Sequence, residues 1–216
     1  MLNNLVIKKE VHIISYSSEL TRNRILECAK VEFLNLGFHN ASMRKIADNA
    51  NVTTGAMYNH FKNKEILFEE LVSKTATELL TLFKHQHDKC SIIKSYNTEN
   101  SYNLMSQSTD CILDFIYDNF EAMKLIVCSS QGTRYEEYVE SLIEIEEEST
   151  RNILIKSDSY DIKKDDFFIH VMSSSCMHNM FEAIKHNLSK EEAVYYMEKI
   201  KHFYYAGWNE ILDFKL

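Results

Sequence analysis

No proline occurs anywhere in the 216 residues, and glycine occurs only four times, so long stretches contain nothing that breaks a helix. Within those stretches the apolar residues recur at three- and four-residue intervals. Ile25, Leu26, Ala29, Phe33 and Leu36 set the pattern, and Gly37 follows as a stop signal. The same period predicts helices at 42–49, at 53–61, from 63 to about 87, and at about 104–119, 121–129, 134–156, 164–186 and 190–213. Residues 91–103 read as a loop, and residues 1–17, which lack a helical period, as a mobile arm. Alternating apolar and polar runs bounded by turn clusters are missing. The expectation is an all-α protein.

Residues 42–64, Ser-Met-Arg-Lys-Ile-Ala-Asp-Asn-Ala-Asn-Val-Thr-Thr-Gly-Ala-Met-Tyr-Asn-His-Phe-Lys-Asn-Lys, hold two short helices in close succession. Ser42 is placed to cap the first and Thr53 the second, while Asn63 caps the long helix that follows. Asn51 sits where the chain must turn sharply, and asparagine tolerates positive φ better than most residues. Such a helix-turn-helix points its second helix outward. The exposed N-terminus of that helix offers N–H groups and hydroxyls to phosphates and base edges.

Charge supports the placement. The chain carries a net −8, yet residues 1–65 hold nine lysines and arginines against six acids, and residues 66–216 hold 15 against 26. The basic surplus lies with the reading head, and the acidic remainder is repelled from DNA. No apolar run approaches the ~18 residues of a membrane span, and the N-terminal apolar run is too short and wrongly flanked for a signal peptide. Cys28, Cys90, Cys111, Cys128 and Cys176 include no Cys-x-x-Cys pair and read as reduced core residues of a cytoplasmic protein. The run Glu144-Ile-Glu-Glu-Glu148 reads as a solvated helix face.

The segment Thr21–Ser73 resembles the TetR family of transcriptional regulators. The residues that carry the resemblance are Ile25 to Ala29, Phe33, Gly37-Phe38, Ser42 to Ala47, Asn51 to Tyr58, His60-Phe61 and Lys64 to Leu67. Asn51 departs from a glycine common in the family, and both residues accept the turn. The resemblance implies three domain-level parts: the arm at 1–17, a DNA-binding domain at 18–63, and an effector-binding and dimerisation domain at 64–216. It implies phosphate contacts by Ser42, Tyr58, His60 and Lys64, and base-edge contacts by Thr53, Thr54, Gly55 and Ala56, with Arg44 as an additional reader. It also implies a homodimer through the last two helices, which places two recognition helices on a pseudo-palindromic double-stranded operator. Those helices carry apolar residues on two faces, as a subunit core plus a partner would require, with Met180 and Phe203 at partner-facing positions.

For the effector, Met105, Phe115, Met123, Val127, Tyr135 and Tyr138 form a set suited to a small apolar or aromatic molecule, although each residue alone is also what any helical core needs. No cofactor is expected. His85 and His87 point apart on a helix, His170 and His178 differ by about 80° in direction, and neither arrangement has zinc-site spacing. No Ser-His-Asp order, Gly-rich phosphate loop, HExxH or paired-carboxylate site stands out. The function expected is a ligand-responsive repressor. A ligand-free architectural DNA-binding protein is the alternative, and an enzyme a distant third.

Overall fold

The computed structural model describes residues 2–90, 99–155 and 161–213, with side chains from residue 17 onward in those ranges apart from 99–100, 162–163 and 212–213. Nine helices and no strand occur among the described residues: α1 (Leu2–Asn40), α2 (Met43–Asn49), α3 (Thr54–His60), α4 (Lys64–Cys90), α5 (Glu99–Asp118), α6 (Phe120–Ser129), α7 (Tyr138–Leu154), α8 (Ile162–Lys185) and α9 (Lys190–Asp213). The all-α expectation holds.

Three boundaries differ from those read in the sequence. The segment taken as an arm is helical backbone from Leu2; with no glycine or proline to stop it, a helix already nucleated by its packed part extends at little cost per residue. α5 starts at Glu99 although residues 99–103 are polar, because its packing against α4 and α9 outweighs weak local propensity; residues 91–98 lie outside the described part. α7 starts at Tyr138 rather than 134. The intervening turn is held by Thr133 N–H to Ser130 O (2.9 Å) and Glu136 N–H to Thr133 O (3.2 Å), with Gly132 at φ 85°.

In the head, α1 buries Ile25, Ala29 and Phe33 against Ile46 and Ala47 of α2, Met57 of α3 and Phe61. Gly37 adopts φ 73°, which interrupts the regular helix at the expected stop. Ser42 accepts the N–H of Lys45 (3.4 Å), Thr53 that of Ala56 (3.1 Å) and Asn63 that of Ile66 (2.8 Å), so all three expected caps are made. Asn51 takes φ 51°, Val52 N–H reaches Ala47 O (3.0 Å) and Asn51 N–H reaches Asp48 O (3.1 Å). This is a Schellman ending of α2, and it sets the angle at which α3 leaves.

The head joins the body through aromatic packing. Phe68 of α4 meets Phe33 edge-on at 5.2 Å and Phe38 at 5.5 Å, and lies 6.3 Å from Tyr135. α6 lies against α1 and α4, and Lys30 pairs with Glu121 across the α1–α6 contact (2.7 Å). α8 ends in a second Schellman turn at Asn187, φ 54°. A capping box starts α9: Ser189 N–H to the Glu192 carboxylate (2.8 Å) and Glu192 N–H to Ser189 Oγ (3.3 Å). A smaller apolar cluster around Ile153, Ile169 and Trp208 closes the end of the body away from the head. The expectation of five core cysteines fails at two: Cys111 and Cys128 are exposed, since each falls on the outward side of its helix. No described helix is long and apolar enough to cross a membrane.

Candidate DNA interface and an internal cavity

α3 buries Met57 and leaves Thr53, Thr54, Gly55 and Tyr58 exposed, with Ala56 and His60 half-buried. Tyr58 keeps 47% of its surface open. Ser42 and Arg44 are exposed at the start of the neighbouring α2, so hydroxyls, a guanidinium and the capped N-termini of both helices are open to an outside partner. Such groups are the donors that phosphates and base edges accept from.

Lys64 is placed differently. Its Nζ donates to His39 O (3.0 Å) and Ala41 O (3.2 Å) and lies 4.6 Å from the centre of the Phe38 ring. The ammonium therefore ties the start of α4 to the end of α1, with one of its three donors left for an outside acceptor. Nothing in the local sequence signals this tie, because its partners lie more than twenty residues away.

Of the six residues expected around an effector, Met105 lines the cavity described below and the other five do not. Met123 is fully buried and Tyr135 nearly so, while Phe115, Val127 and Tyr138 pack partly buried against the same core. Tyr138 spends its hydroxyl on Ala76 O (2.7 Å). The reason is the position of α6 and the start of α7, which are wedged against α1 and α4 and serve as the joint between head and body.

The cavity, about 130 Å³, lies instead among α4, α5, α7, α8 and α9. Its wall is mostly apolar, with Met105, Met177, Met180 and Met197 prominent, and Tyr102, Tyr204 and Tyr205 on the α5 and α9 side. Met180, read from the sequence as a partner-facing position, points inward here and is buried. Polar side chains interrupt the wall, Gln86, Thr109, Ser149 and Thr150 among them. Lys201 donates to Ser106 Oγ and Asp110 (both 2.8 Å) and to Glu198 (2.5 Å). His87 Nε2 lies 3.1 Å from the Glu146 carboxylate but finds no acceptor along its N–H direction, so the two groups are near without a hydrogen bond. Cys90 Sγ lies 3.5 Å from Ser108 Oγ.

Glu146 corrects the reading of 144–148 as a solvated face. Glu144 and Glu148 are exposed, but Glu146 faces the cavity and Glu147 pairs with His170 (2.6 Å), since α7 is packed between α4 and α8. The isoleucine at 145 already broke the polar run, but only the tertiary packing, which brings His87 of α4 to α7, shows where Glu146 faces. No group of three or more His, Cys, Asp or Glu placed to hold a metal occurs among the described residues.

Comparison with known proteins agrees with this architecture. The family model for bacterial regulatory proteins of the tetR family matches residues 25–71, the head and the start of α4. An HTH-type transcriptional regulator of Staphylococcus aureus (strain USA300) is 29% identical over 156 residues, 71% of this chain and 78% of that protein. The HTH-type transcriptional regulator UidR of Escherichia coli (strain K12) is 36% identical over 64 residues, covering 30% of this chain and 33% of UidR. In fold, the chain is similar to a transcriptional regulator from Aquifex aeolicus VF5 (TM-score 0.52, 22% identity, 84% of this chain and 96% of that one). It is likewise similar to a TetR family regulator from Chloroflexus aurantiacus J-10-FL (TM-score 0.52, 13% identity, 90% and 92%). A capped helix-turn-helix with its second helix exposed, set on an all-α body and matched by the family model over the head, places the chain in the TetR family of transcriptional regulators.

Proposed function

We propose that the protein is a homodimeric, ligand-responsive repressor that acts in the cytoplasm, leaving a pseudo-palindromic operator when a small effector enters the body. The observation that carries this reading is the course of α4, which starts at Lys64, just after the recognition helix, and ends at Cys90 in the cavity wall. One rigid element thus touches both sites. An effector that prefers one setting of α4 shifts the spacing of two heads in a dimer, and differential affinity for the two settings is the thermodynamic requirement.

Support for the dimer comes from α8 and α9. Phe167, Phe168, Val171, Val194, Tyr195, Phe203 and Ile211 are exposed on a single chain, more aromatic surface than an isolated monomer ordinarily leaves to water. On the DNA side, Ser42, Tyr58, His60 and the remaining donor of Lys64 hold phosphates, while Thr53, Thr54, Gly55, Ala56 and Arg44 read the groove. The cavity favours this reading over a ligand-free architectural role.

The test is fluorescence anisotropy with DNA from upstream of the protein's own gene, alongside sedimentation. A dimer that binds one short site tightly is the expected result. A stable monomer at micromolar concentration, or equal affinity for unrelated DNA, overturns the proposal.

A further inference from the structure

The polar groups of the cavity are unequally satisfied, and the inequality has a sign. Lys201 supplies the cavity's ammonium, and all three of its donors are taken by Ser106, Asp110 and Glu198. Two carboxylates already balance its single charge. A carboxylate entering the cavity finds no free donor on Lys201.

Glu146 is the opposite case. Its carboxylate lies 3.1 Å from His87 Nε2, whose N–H points off the line to it and which brings positive charge only when protonated. The negative charge is felt by the surrounding groups: burial pushes the Cys90 thiol up, and Glu146 adds to the same shift there and at Cys176. The cavity wall that Glu146 shares also carries methionine sulfurs and the rings of Phe83, Tyr102 and Tyr204, and the face of an aromatic ring attracts a cation. The body outside is acidic as well, with 26 Asp and Glu against 15 Lys and Arg over residues 66–216, which concentrates cations near its surface.

We infer that the cavity takes a small monocation with an apolar body, its charged nitrogen against Glu146, and discriminates against carboxylates. This rests on the effector reading above. The volume, about 130 Å³, is close to that of an engineered cavity that holds benzene (~150 Å³), so a single substituted ring is the fitting size.

Three probes of one ring each test the sign of the charge: benzyltrimethylammonium, benzyl alcohol and phenylacetate, titrated calorimetrically into the full-length protein and into Glu146→Gln. The expected order is the cation first, at least about tenfold tighter than phenylacetate, with that advantage lost in Glu146→Gln while benzyl alcohol binds both proteins alike. The order in the natural sequence stands by itself should the variant not fold. Binding of phenylacetate or benzyl alcohol equal to or tighter than the cation overturns the charge preference and leaves an effector cavity in place. Failure of all three to bind overturns both the preference and the cavity's role, and cation binding that is unchanged in Glu146→Gln removes Glu146 from the site.

Discussion

The carboxylate of Glu32, only 5% exposed on α1, lies 3.3 Å from the backbone N–H of Ser42, the residue that caps α2. A buried acid thus satisfies a backbone donor that the start of α2 would otherwise leave open, and it does so from another helix. Removing it strands that N–H. Glu32→Ala is expected to cost about 1–3 kcal/mol in denaturant unfolding, and Glu32→Gln, which keeps an acceptor oxygen, clearly less. Equal losses in the two variants would show that packing, not the Ser42 contact, sets the cost.

The turn before the recognition helix makes a second prediction. Asn51 holds φ 51°, so Asn51→Gly is expected to change stability by no more than about 1 kcal/mol, while Asn51→Val, strained at positive φ, costs about 1–2 kcal/mol. Thermal unfolding of both variants checks the difference.

On the proposed interface, Tyr58→Phe should weaken binding to all DNA sequences without lowering stability, because the ring is half open to solvent. Thr54→Ala should change which sequences are preferred. Lys64→Ala is expected to do two things at once: flatten the salt dependence by about one unit of slope, and lower the melting temperature because His39 O and Ala41 O lose their donor. Affinity measured across a salt series, beside a melting curve, separates these effects.

The dimer makes a prediction that contrasts two positions of one substitution. Phe203 is 69% exposed and Met180 only 3%. Phe203→Glu should give a folded monomer that has lost operator affinity, whereas Met180→Glu places a charge against the cavity core and should unfold the chain. Sedimentation and circular dichroism read the two outcomes, and a dimeric Phe203→Glu would move the interface elsewhere.

Alkaline pH supplies the last prediction. Burial pushes the hydroxyl of Tyr138 well up, with the neighbouring Tyr135 adding, and burial raises Tyr117, Tyr196 and Tyr204 as well. An unfolded tyrosine ionises near pH 10, so above that the unfolded state holds fewer protons than the native one. The stabilising contribution is complete below about pH 10 and is lost as pH climbs toward the folded values. Tyr138→Phe should reduce the slope of stability against pH above 10 by up to one proton, and should also cost about 1 kcal/mol at neutral pH through the lost bond to Ala76 O. Urea unfolding between pH 8 and about 11 measures both effects.

What could be read from the sequence alone was whatever a few neighbouring residues decide among themselves. Caps at Ser42, Thr53 and Asn63, the positive φ of Asn51, the stop at Gly37 and the helical period all act within one or two turns of chain, and each is found where the residues placed it. That is why the head and the helical class were legible. The body's helices were legible too, but not their rotation. Whether Met123 or Met177 lines the cavity, whether Met180 faces a partner or the interior, and whether Glu146 meets solvent or His87 depends on which helices pack on either side, dozens of residues away in the chain. An apolar or acidic residue at helical spacing satisfies every one of those fates equally well. Only the packing of α7 between α4 and α8, and of α6 into the joint with the head, selects among them.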